Sequence, residues 1–166
     1  MKVGIVSDSH GQRLRLQRAL ETLCRRGADT IVHCGDVGGC SCMDELIACG
    51  KPVYAVAGNT DLDMSELQRH AQAHGITFDL DMVTISLNGQ GLLAVTHGNQ
   101  PWLLQKGISG HVAYLCHGHT HRQRNEMVGS THVINPGALD RTLVPTVALL
   151  DTDSGAVEFL AVRDDE

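Results

Sequence analysis

Short apolar runs rich in Val, Ile and Ala alternate with amphipathic stretches through the first half of the chain. This alternation is typical of a parallel sheet whose strands are joined by crossover helices. Leu16, Leu20 and Leu23, for example, repeat at helical spacing and predict one buried face of a helix. The pattern predicts strands at 2–6, 30–34 and 53–56 and helices at 14–26, 43–49 and 65–74, the last helix capped by Asp63 or Ser65.

Closely spaced strands dominate the second half, where Gly and Asn mark the turns. Asn88-Gly89 is a favourable two-residue hairpin turn, and residues 149–157 predict a terminal hairpin. The chain has 166 residues and shows neither a linker nor a repeat, so we expect one domain over 1–166 with an α/β fold. The predicted strands of this half are 82–87, 92–96, 113–116, 132–134, 146–150 and 157–162.

Composition narrows the possible functions. The net charge of -6 argues against a broad basic surface for nucleic acid, although a local basic pocket stays compatible with it. The N-terminal apolar run ends at Val6 and is therefore too short to be a signal sequence or a membrane span. We therefore expect a cytoplasmic protein with no membrane partner. Because only 3% of the residues in the chain are aromatic, we also expect an aliphatic core.

The six cysteines lie mostly inside apolar runs, so we interpret them as reduced, buried thiols. Cys40 and Cys42 stand apart because they form a Cys-x-Cys pair next to two glycines. Such a pair could contact a metal ion, although its spacing is not that of a closed zinc site. The sequence leaves the role of this pair open.

Polar residues follow the predicted strands in a regular way: most of these strands end in Asp, Asn or His beside a Gly. In open α/β sheets, ligands bind at the carboxyl ends of the strands. An isolated Asp would more simply cap a helix, and an isolated His such as His70, His74, His111 or His132 would more simply lie on the surface. Several such segments in order indicate a shared site, and they are Asp8-Ser9-His10, Gly35-Asp36, Gly58-Asn59, His97-Gly98 and Gly118-His119-Thr120-His121.

This mixture of carboxylates, imidazoles and one amide suits borderline-hard divalent ions rather than Ca²⁺. We expect two such ions, Mn²⁺ first, with Ni²⁺, Co²⁺, Zn²⁺, Fe²⁺ or Mg²⁺ as alternatives. Asp8 and His10 lie two residues apart, so they can share a face and hold one ion, and His119 and His121 repeat that spacing. The carboxylate of Asp36 could bridge ions held ~3.5–4 Å apart.

The ordered segments resemble the signature of the calcineurin-like metallophosphoesterase superfamily, which runs Asp-x-His, Gly-Asp, Gly-Asn, His and Gly-His-x-His. The matching region spans residues 5 to 138. Within the superfamily, the segments 7–11, 58–61 and 135–138 are similar to those of the small bacterial and archaeal phosphodiesterases. The eukaryotic retromer scaffold subunit shares this fold.

The resemblance implies a four-layer α/β/β/α sandwich, two mixed sheets flanked by helices. It implies a hydrolase of phosphoric ester bonds, most simply a phosphodiesterase acting on a small or nucleotide-like ester through water or hydroxide bridging two ions. Asp36, Asn59 and His97 would be catalytic. One ion would be held by Asp8, His10, Asp36 and His121, and the other by Asp36, Asn59, His97 and His119.

Two other interpretations stay open: a protein-binding scaffold without catalysis, and a protein whose metal is only structural. The complete ligand set favours the enzyme. A small-molecule phosphate ester is the expected partner, and exposed strand edges and the habit of the family favour a homodimer.

Three further residues complete the candidate site. Thr60 stands where many members of the superfamily carry a His that can protonate the leaving oxygen, so we expect slow hydrolysis of esters with poor leaving groups. Arg141, with Asn59 and Thr60, is a candidate for contact with the substrate, because an Arg fork suits phosphate, although a solvated loop Arg is the alternative. Asp61 is expected to be structural or to orient a ligand histidine.

Overall fold

The computed structural model describes residues 1–163, which form an α/β structure in which strands and helices alternate over residues 2–79 and strands predominate afterwards. In chain order the elements are β1 (Lys2–Val6), α1 (Arg13–Arg25), β2 (Thr30–His33), α2 (Cys40–Ala48), β3 (Val53–Val56), α3 (Met64–Ala73), β4 (Thr77–Asp79), β5 (Met82–Ser86), β6 (Leu92–Thr96), α4 (Pro101–Ser109), β7 (Tyr114–Cys116), β8 (Arg124–Val128), β9 (Thr131–Asn135), β10 (Thr146–Asp151) and β11 (Ala156–Ala161).

The first sheet has the strand order β11-β10-β1-β2-β3-β4. Strands β1 to β4 are parallel to one another, as the alternating pattern of the first half predicts. β10 pairs antiparallel with β1, with Ile5 opposite Ala148, and the predicted terminal hairpin β10–β11 completes this edge of the sheet. The N-terminal strand thus lies inside the sheet, between partners from opposite ends of the chain.

The second sheet has the order β5-β6-β7-β9-β8. β5 and β6 form a hairpin whose turn contains Asn88 and Gly89 with φ of 49° and 90°, as the sequence predicted. Strands β6, β7 and β9 are parallel, and β8 returns antiparallel to β9. The carboxyl ends of β6 and β7 therefore point the same way.

Three apolar clusters define four layers. Helices α1 to α3 cover one face of the first sheet, with Leu16, Leu23 and Leu46 fully buried there. The opposite face packs on the second sheet through a cluster that includes Ile5 and Leu93. Helix α4 covers the outer face of the second sheet over Ala94, Leu115 and Val133. The predicted α/β/β/α sandwich is confirmed.

Three elements escaped the sequence pattern: α4, β4 and β8. Helix α4 contains Gly107, a weak helix former, because a Cβ at that position would lie 2.8 Å from the side chain of Leu115 on β7. Helix α2 also begins at Cys40, earlier than predicted.

Within residues 1–163, no helix has the length and apolarity needed to cross a membrane. The homodimer stays a prediction.

Candidate metal centre

The predicted ligand segments follow β1, β2, β3, β6 and β7, and backbone hydrogen bonds tie them together at one edge of the sandwich. Asp8 N–H donates to the carbonyl of Gly35 at 3.0 Å, and His10 N–H donates to that of Asp36 at 2.9 Å. Gly118 N–H donates to the carbonyl of His97 at 2.9 Å. Because parallel strands end at the same edge, loops distant in sequence become neighbours here.

Asp8, His10 and His121 form the first group of donor atoms. Nε2 of His121 lies 3.2 Å from Oδ1 of Asp8, and Nε2 of His10 lies 3.8 Å from the same oxygen. The two imidazole nitrogens are 3.4 Å apart. Three side chains from two loops therefore point at one small volume.

The second group lies beside the first and contains Asn59, His97 and His119. Oδ1 of Asn59 is 2.9 Å from Nε2 of His97 and 3.1 Å from Nδ1 of His119. Asp36 connects the groups, since its Oδ2 lies 3.4 Å from Nε2 of His97 and 3.6 Å from Nε2 of His10. The structure thus brings together all seven side chains that the sequence selected as candidate ligands.

The burial of Asp8 tests whether these residues suit a cation. Its Oδ2 accepts from Ser7 Oγ at 2.5 Å and from His119 N–H at 3.1 Å. Its Oδ1 is buried and has no hydrogen-bond partner within residues 1–163. A buried, unpartnered carboxylate oxygen is costly unless a cation meets it. The donor atoms of Asp8–His10–His121 and of Asp8–Asp36–His97 each lie within 4.8 Å of one another, so the residues fit metal ions.

The profile of the calcineurin-like phosphoesterase superfamily domain matches residues 1–155. The chain belongs to this superfamily. Its classification as a hydrolase of phosphoric ester bonds is thereby confirmed at the level of the family, which is metal-dependent.

Several relatives agree with this assignment. The phosphoesterase is 29% identical to phosphodiesterase MJ0936 of Methanocaldococcus jannaschii, over 92% of this chain and 94% of the relative. It is 30% identical to phosphodiesterase YfcE of Escherichia coli K12, over 84% and 79% of the two chains. A solved archaeal phosphodiesterase has a TM-score of 0.87 with 26% identity, over 97% of this chain and 99% of that one.

The phosphoesterase also shares its fold with a structure of Vps29 from Entamoeba histolytica complexed with Zn²⁺. That comparison gives a TM-score of 0.66 at 21% identity, covering 98% of each chain. At this identity the likeness shows the fold alone.

Hydrogen bonds set the charge on the shared carboxylate. Burial alone would raise the pKa of Asp36, but hydrogen bonds from His97 and from Thr60 N–H, at 2.9 Å, outweigh burial and hold that pKa well below its usual value. Burial has the opposite effect on His97 and lowers its pKa. The hydrogen bond to Asp36 outweighs burial, so the pKa of His97 is raised overall. Asp36 therefore stays ionised across the neutral range.

Backbone strain is concentrated in the same loops. Of the eight non-glycine residues with a positive φ within residues 1–163, five are the candidate ligands Asp8, His10, Asp36, His119 and His121, with values of 44° to 68°. Left-handed backbone at such residues costs of order 1–3 kcal/mol each and persists where surrounding contacts hold it. The sharp turns aim side chains from the strand ends into the centre.

Gly58 and Gly118 allow backbone to approach the ligands closely. A Cβ at Gly58 would overlap the Asp36 carboxylate, and one at Gly118 would overlap Ser7 Oγ. Both neighbours belong to the centre or support it. The Gly before each ligand in the sequence pattern thus has a steric reason.

Thr60, Arg141 and Asp61 all lie near the centre. Thr60 Oγ1 is 3.3 Å from Nδ1 of His10. Arg141 has an exposed guanidinium 3.8 Å from Asp140, and its charge contributes to lowering the pKa of His10, although burial is the main cause. Arg141 as a substrate contact stays a prediction.

Asp61 binds backbone N–H groups and does not orient a ligand histidine, which was one of the two roles considered from the sequence. Its carboxylate accepts backbone N–H groups of Val37 at 3.2 Å, Gly38 at 2.8 Å and Gly58 at 2.9 Å. It therefore joins the loop after β2 to the loop after β3, which carry Asp36 and Asn59. Of the two roles expected for Asp61, the structural role is the one that fits these hydrogen bonds.

Sequence reasoning missed several supporting groups. Ser9 Oγ is 2.8 Å from Nε2 of His33, a fully buried histidine whose pKa burial lowers to about 3. Asn135 donates to the carbonyl of Gly118 at 2.9 Å and to Thr120 Oγ1 at 3.1 Å. The alternation Ser7-Asp8-Ser9-His10 carried a local sign of the first contact, because residues two apart share a face. Asn135 lies in segment 135–138, which the family resemblance had already selected.

The cysteines stay outside the centre. All six are free thiols, as predicted, but only Cys34, Cys42 and Cys116 are buried, and the prediction of burial is wrong for the other three. Cys42 is buried in the first turn of α2, and burial raises its pKa to about 11 despite hydrogen bonds with Ser9 and Gly11. Within residues 1–163, the candidate metal groups contain no cysteine, so the structure does not favour the metal-contacting alternative for Cys40 and Cys42.

Proposed function

We propose that this protein is a phosphodiesterase that uses two divalent metal ions, Mn²⁺ first among them, to hydrolyse a small or nucleotide-like phosphate ester in the cytoplasm. The observation that carries the proposal is the position of Asp36 Oδ2, within 3.6 Å of Nε2 of both His10 and His97. One carboxylate oxygen thus reaches both donor groups. That arrangement supports a shared ligand between paired ions.

The candidate residues have different roles in the proposed reaction. Asp8, His10, Asp36 and His121 would hold one ion, and Asp36, Asn59, His97 and His119 the other. When bound, such ions lower the pKa of water toward neutrality and polarise phosphoryl oxygens. Asp36 keeps its negative charge near neutral pH because His97 and Thr60 hydrogen-bond to it. Arg141 and Thr60 would contact the ester.

A scaffold function is the second candidate, supported by the fold shared with Vps29. Against it stands the cost of clustering two buried carboxylates and four imidazoles, which a surface for protein partners does not require. Turnover separates the two functions directly.

The proposal predicts that metal-stripped protein does not hydrolyse bis(4-nitrophenyl) phosphate and that added Mn²⁺ restores hydrolysis with two ions bound per chain. Release of 4-nitrophenol during titration with Mn²⁺, Ni²⁺, Co²⁺, Zn²⁺ and Mg²⁺, with metal content measured in parallel, is the experiment. Two bound ions without turnover would instead support the scaffold.

Thr60→His is expected to raise hydrolysis of diesters with poor leaving groups, because an imidazole could protonate the leaving oxygen. General acid catalysis is commonly worth ~100- to 10,000-fold, and we expect a gain at or below the low end of that range, ~10- to 100-fold. The comparison is kcat for an alkyl and an aryl diester, with Thr60→Val as the control that removes the hydroxyl alone. An equal change for both diesters would contradict this role.

A further inference from the structure

Two clefts border the candidate centre. The first, called the Thr60 cleft, has a volume of about 270 Å³ and is lined by Gly38, Cys40, Thr60, Leu62, Asp63 and Glu66 among others. Thr60 connects it to the centre, since its hydroxyl meets His10 at 3.3 Å and its N–H binds Asp36 at 2.9 Å. A group attached to a phosphate in the centre could extend directly into this cleft.

The second, called the His121 cleft, begins at a candidate ligand. It has a volume of about 410 Å³, and its lining includes His121, Arg122, Gln123, Thr142, Leu143 and Val144. Nε2 of His121 is 3.2 Å from Asp8 Oδ1, so this cleft also opens beside the centre.

The Thr60 cleft is acidic. Asp63 and Glu66 are the only charged residues among its described lining. Asp63 caps α3 by accepting Glu66 N–H at 2.9 Å, so these carboxylates already occupy the end of the helix that would otherwise attract an anion. The charges that act on Cys40 in this cleft are those of Glu66, Asp44 and Asp63, against one guanidinium, Arg69. The cleft therefore disfavours a negatively charged group.

The His121 cleft has the opposite charge. Arg122 lines it, and no carboxylate occurs among its described lining residues. Arg141 is adjacent in sequence to Thr142 of the lining and is exposed; Asp140 lies 3.8 Å from its guanidinium, and the charge of Arg141 still reaches His10. A guanidinium suits carboxylate and phosphate groups. This cleft therefore favours a negatively charged group.

The sizes suit the two arms of one phosphodiester. Pockets for complete small-molecule ligands span ~300–1,000 Å³. The clefts, at about 270 and 410 Å³, lie just below that range and near its lower end, so each would hold one arm of limited size. A phosphodiester places two such fragments on one phosphorus atom. Leu62 beside the first cleft and Leu143 in the second are almost fully exposed and could cover apolar parts of each arm.

We propose that the substrate is a phosphodiester with arms of unlike charge: a neutral or cationic arm in the Thr60 cleft and an anionic arm in the His121 cleft. This inference rests on the proposed function, because it places the phosphate in the metal centre. It adds a substrate class, defined by the charges on the two arms.

Symmetric diesters test the proposal, because they force both clefts to accept the same charge. The metal-loaded protein is assayed with bis(4-carboxyphenyl) phosphate and with bis(4-trimethylammoniophenyl) phosphate, and kcat/KM of each variant is divided by that of the wild type. Each ratio compares one substrate with itself, so differences in leaving-group reactivity cancel. Bis(4-nitrophenyl) phosphate, whose arms are neutral, reports the phosphodiesterase activity.

The variants Asp63→Asn/Glu66→Gln and Arg122→Gln each remove charge from one cleft. Asn caps a helix about as well as Asp, and Glu66→Gln alone serves as a second variant with a smaller effect. We expect the first variant, which removes two charges, to raise kcat/KM for the dicarboxylate at least about fivefold, since one unit charge at ~4 Å in water already gives that factor, and to lower it for the dication. Arg122→Gln should do the reverse, and the effects should shrink in high salt.

Glu21→Gln, which removes a carboxylate from α1 outside both clefts, is the control and should change no ratio. Turnover of all three diesters with ratios near one in every variant would overturn the assignment of the arms while leaving the phosphodiesterase standing. Absence of metal-restored turnover with bis(4-nitrophenyl) phosphate would overturn the proposed function and this inference with it.

Discussion

Asp36→Asn is expected to lower kcat/KM for bis(4-nitrophenyl) phosphate by about 100- to 1,000-fold, because ions contribute several kcal/mol of charge stabilisation to such reactions. Asn keeps the shape of Asp and can still accept Thr60 N–H through Oδ1, the atom that now lies 2.9 Å from it. It replaces the shared Oδ2 with an NH₂ group, which is a donor and cannot ligate a cation. A loss of activity in this variant can therefore be assigned to Oδ2, the atom that lies near both groups of donor atoms.

The measurement is a Mn²⁺ titration of activity and of metal content for the Asn variant beside the wild type. Asp44→Asn is the matched control, since Asp44 is exposed and pairs with His70 at 2.7 Å, away from the centre. Activity within about tenfold of the wild type, with two ions still bound, would mean that Asp36 is not the shared ligand.

Asp61→Ala is expected to lower the free energy of unfolding by about 3 kcal/mol, because a buried, charged acceptor of three backbone N–H groups is lost. At this chain length, that corresponds to a fall of ~6–12 °C in Tm. Activity should fall as well, since the two loops that Asp61 joins carry Asp36 and Asn59. Denaturant unfolding of the metal-free protein measures the first effect without the contribution of bound ions.

Asp61→Asn gives the graded comparison, because its one oxygen can keep part of the network while its NH₂ faces the donors. We expect its stability to lie between those of the Ala variant and the wild type. A loss below about 0.5 kcal/mol for Asp61→Ala would place it among ordinary surface substitutions and contradict the joining role.

The candidate centre could be found from sequence because its chemistry is local to each strand end. Asp8 after Val6, or His97 after Thr96, follows an apolar run that already predicts a strand. The topology of a parallel sheet then brings such ends together without any further information. The family resemblance supplied the division into two ligand sets, which the residues alone left open.

What the sequence left unresolved depends on tertiary partners. Helix α4 carries Gly107, which conflicts with helix propensity and fits only because Leu115 packs against it. The carboxylate of Asp61 has three N–H partners, two of them more than twenty residues away, that no spacing rule identifies. Strand β8 is largely exposed, so it lacks the apolar run by which strands are recognised.

The position of β1 between β2 and β10 governs when the molecule can be completed during synthesis. Lys2 pairs with Asp151, and Leu139 N–H reaches the carbonyl of Ser7 at 3.2 Å, so the strand that leads into Asp8 gains its second neighbour only after residues 146–151 have been translated. Until then β1 is an unpaired edge with an apolar sequence, the kind of edge that invites association with other chains. Contacts this far apart in sequence also slow folding. The loop bearing Asp8 and His10 is thus translated long before the strand that secures it.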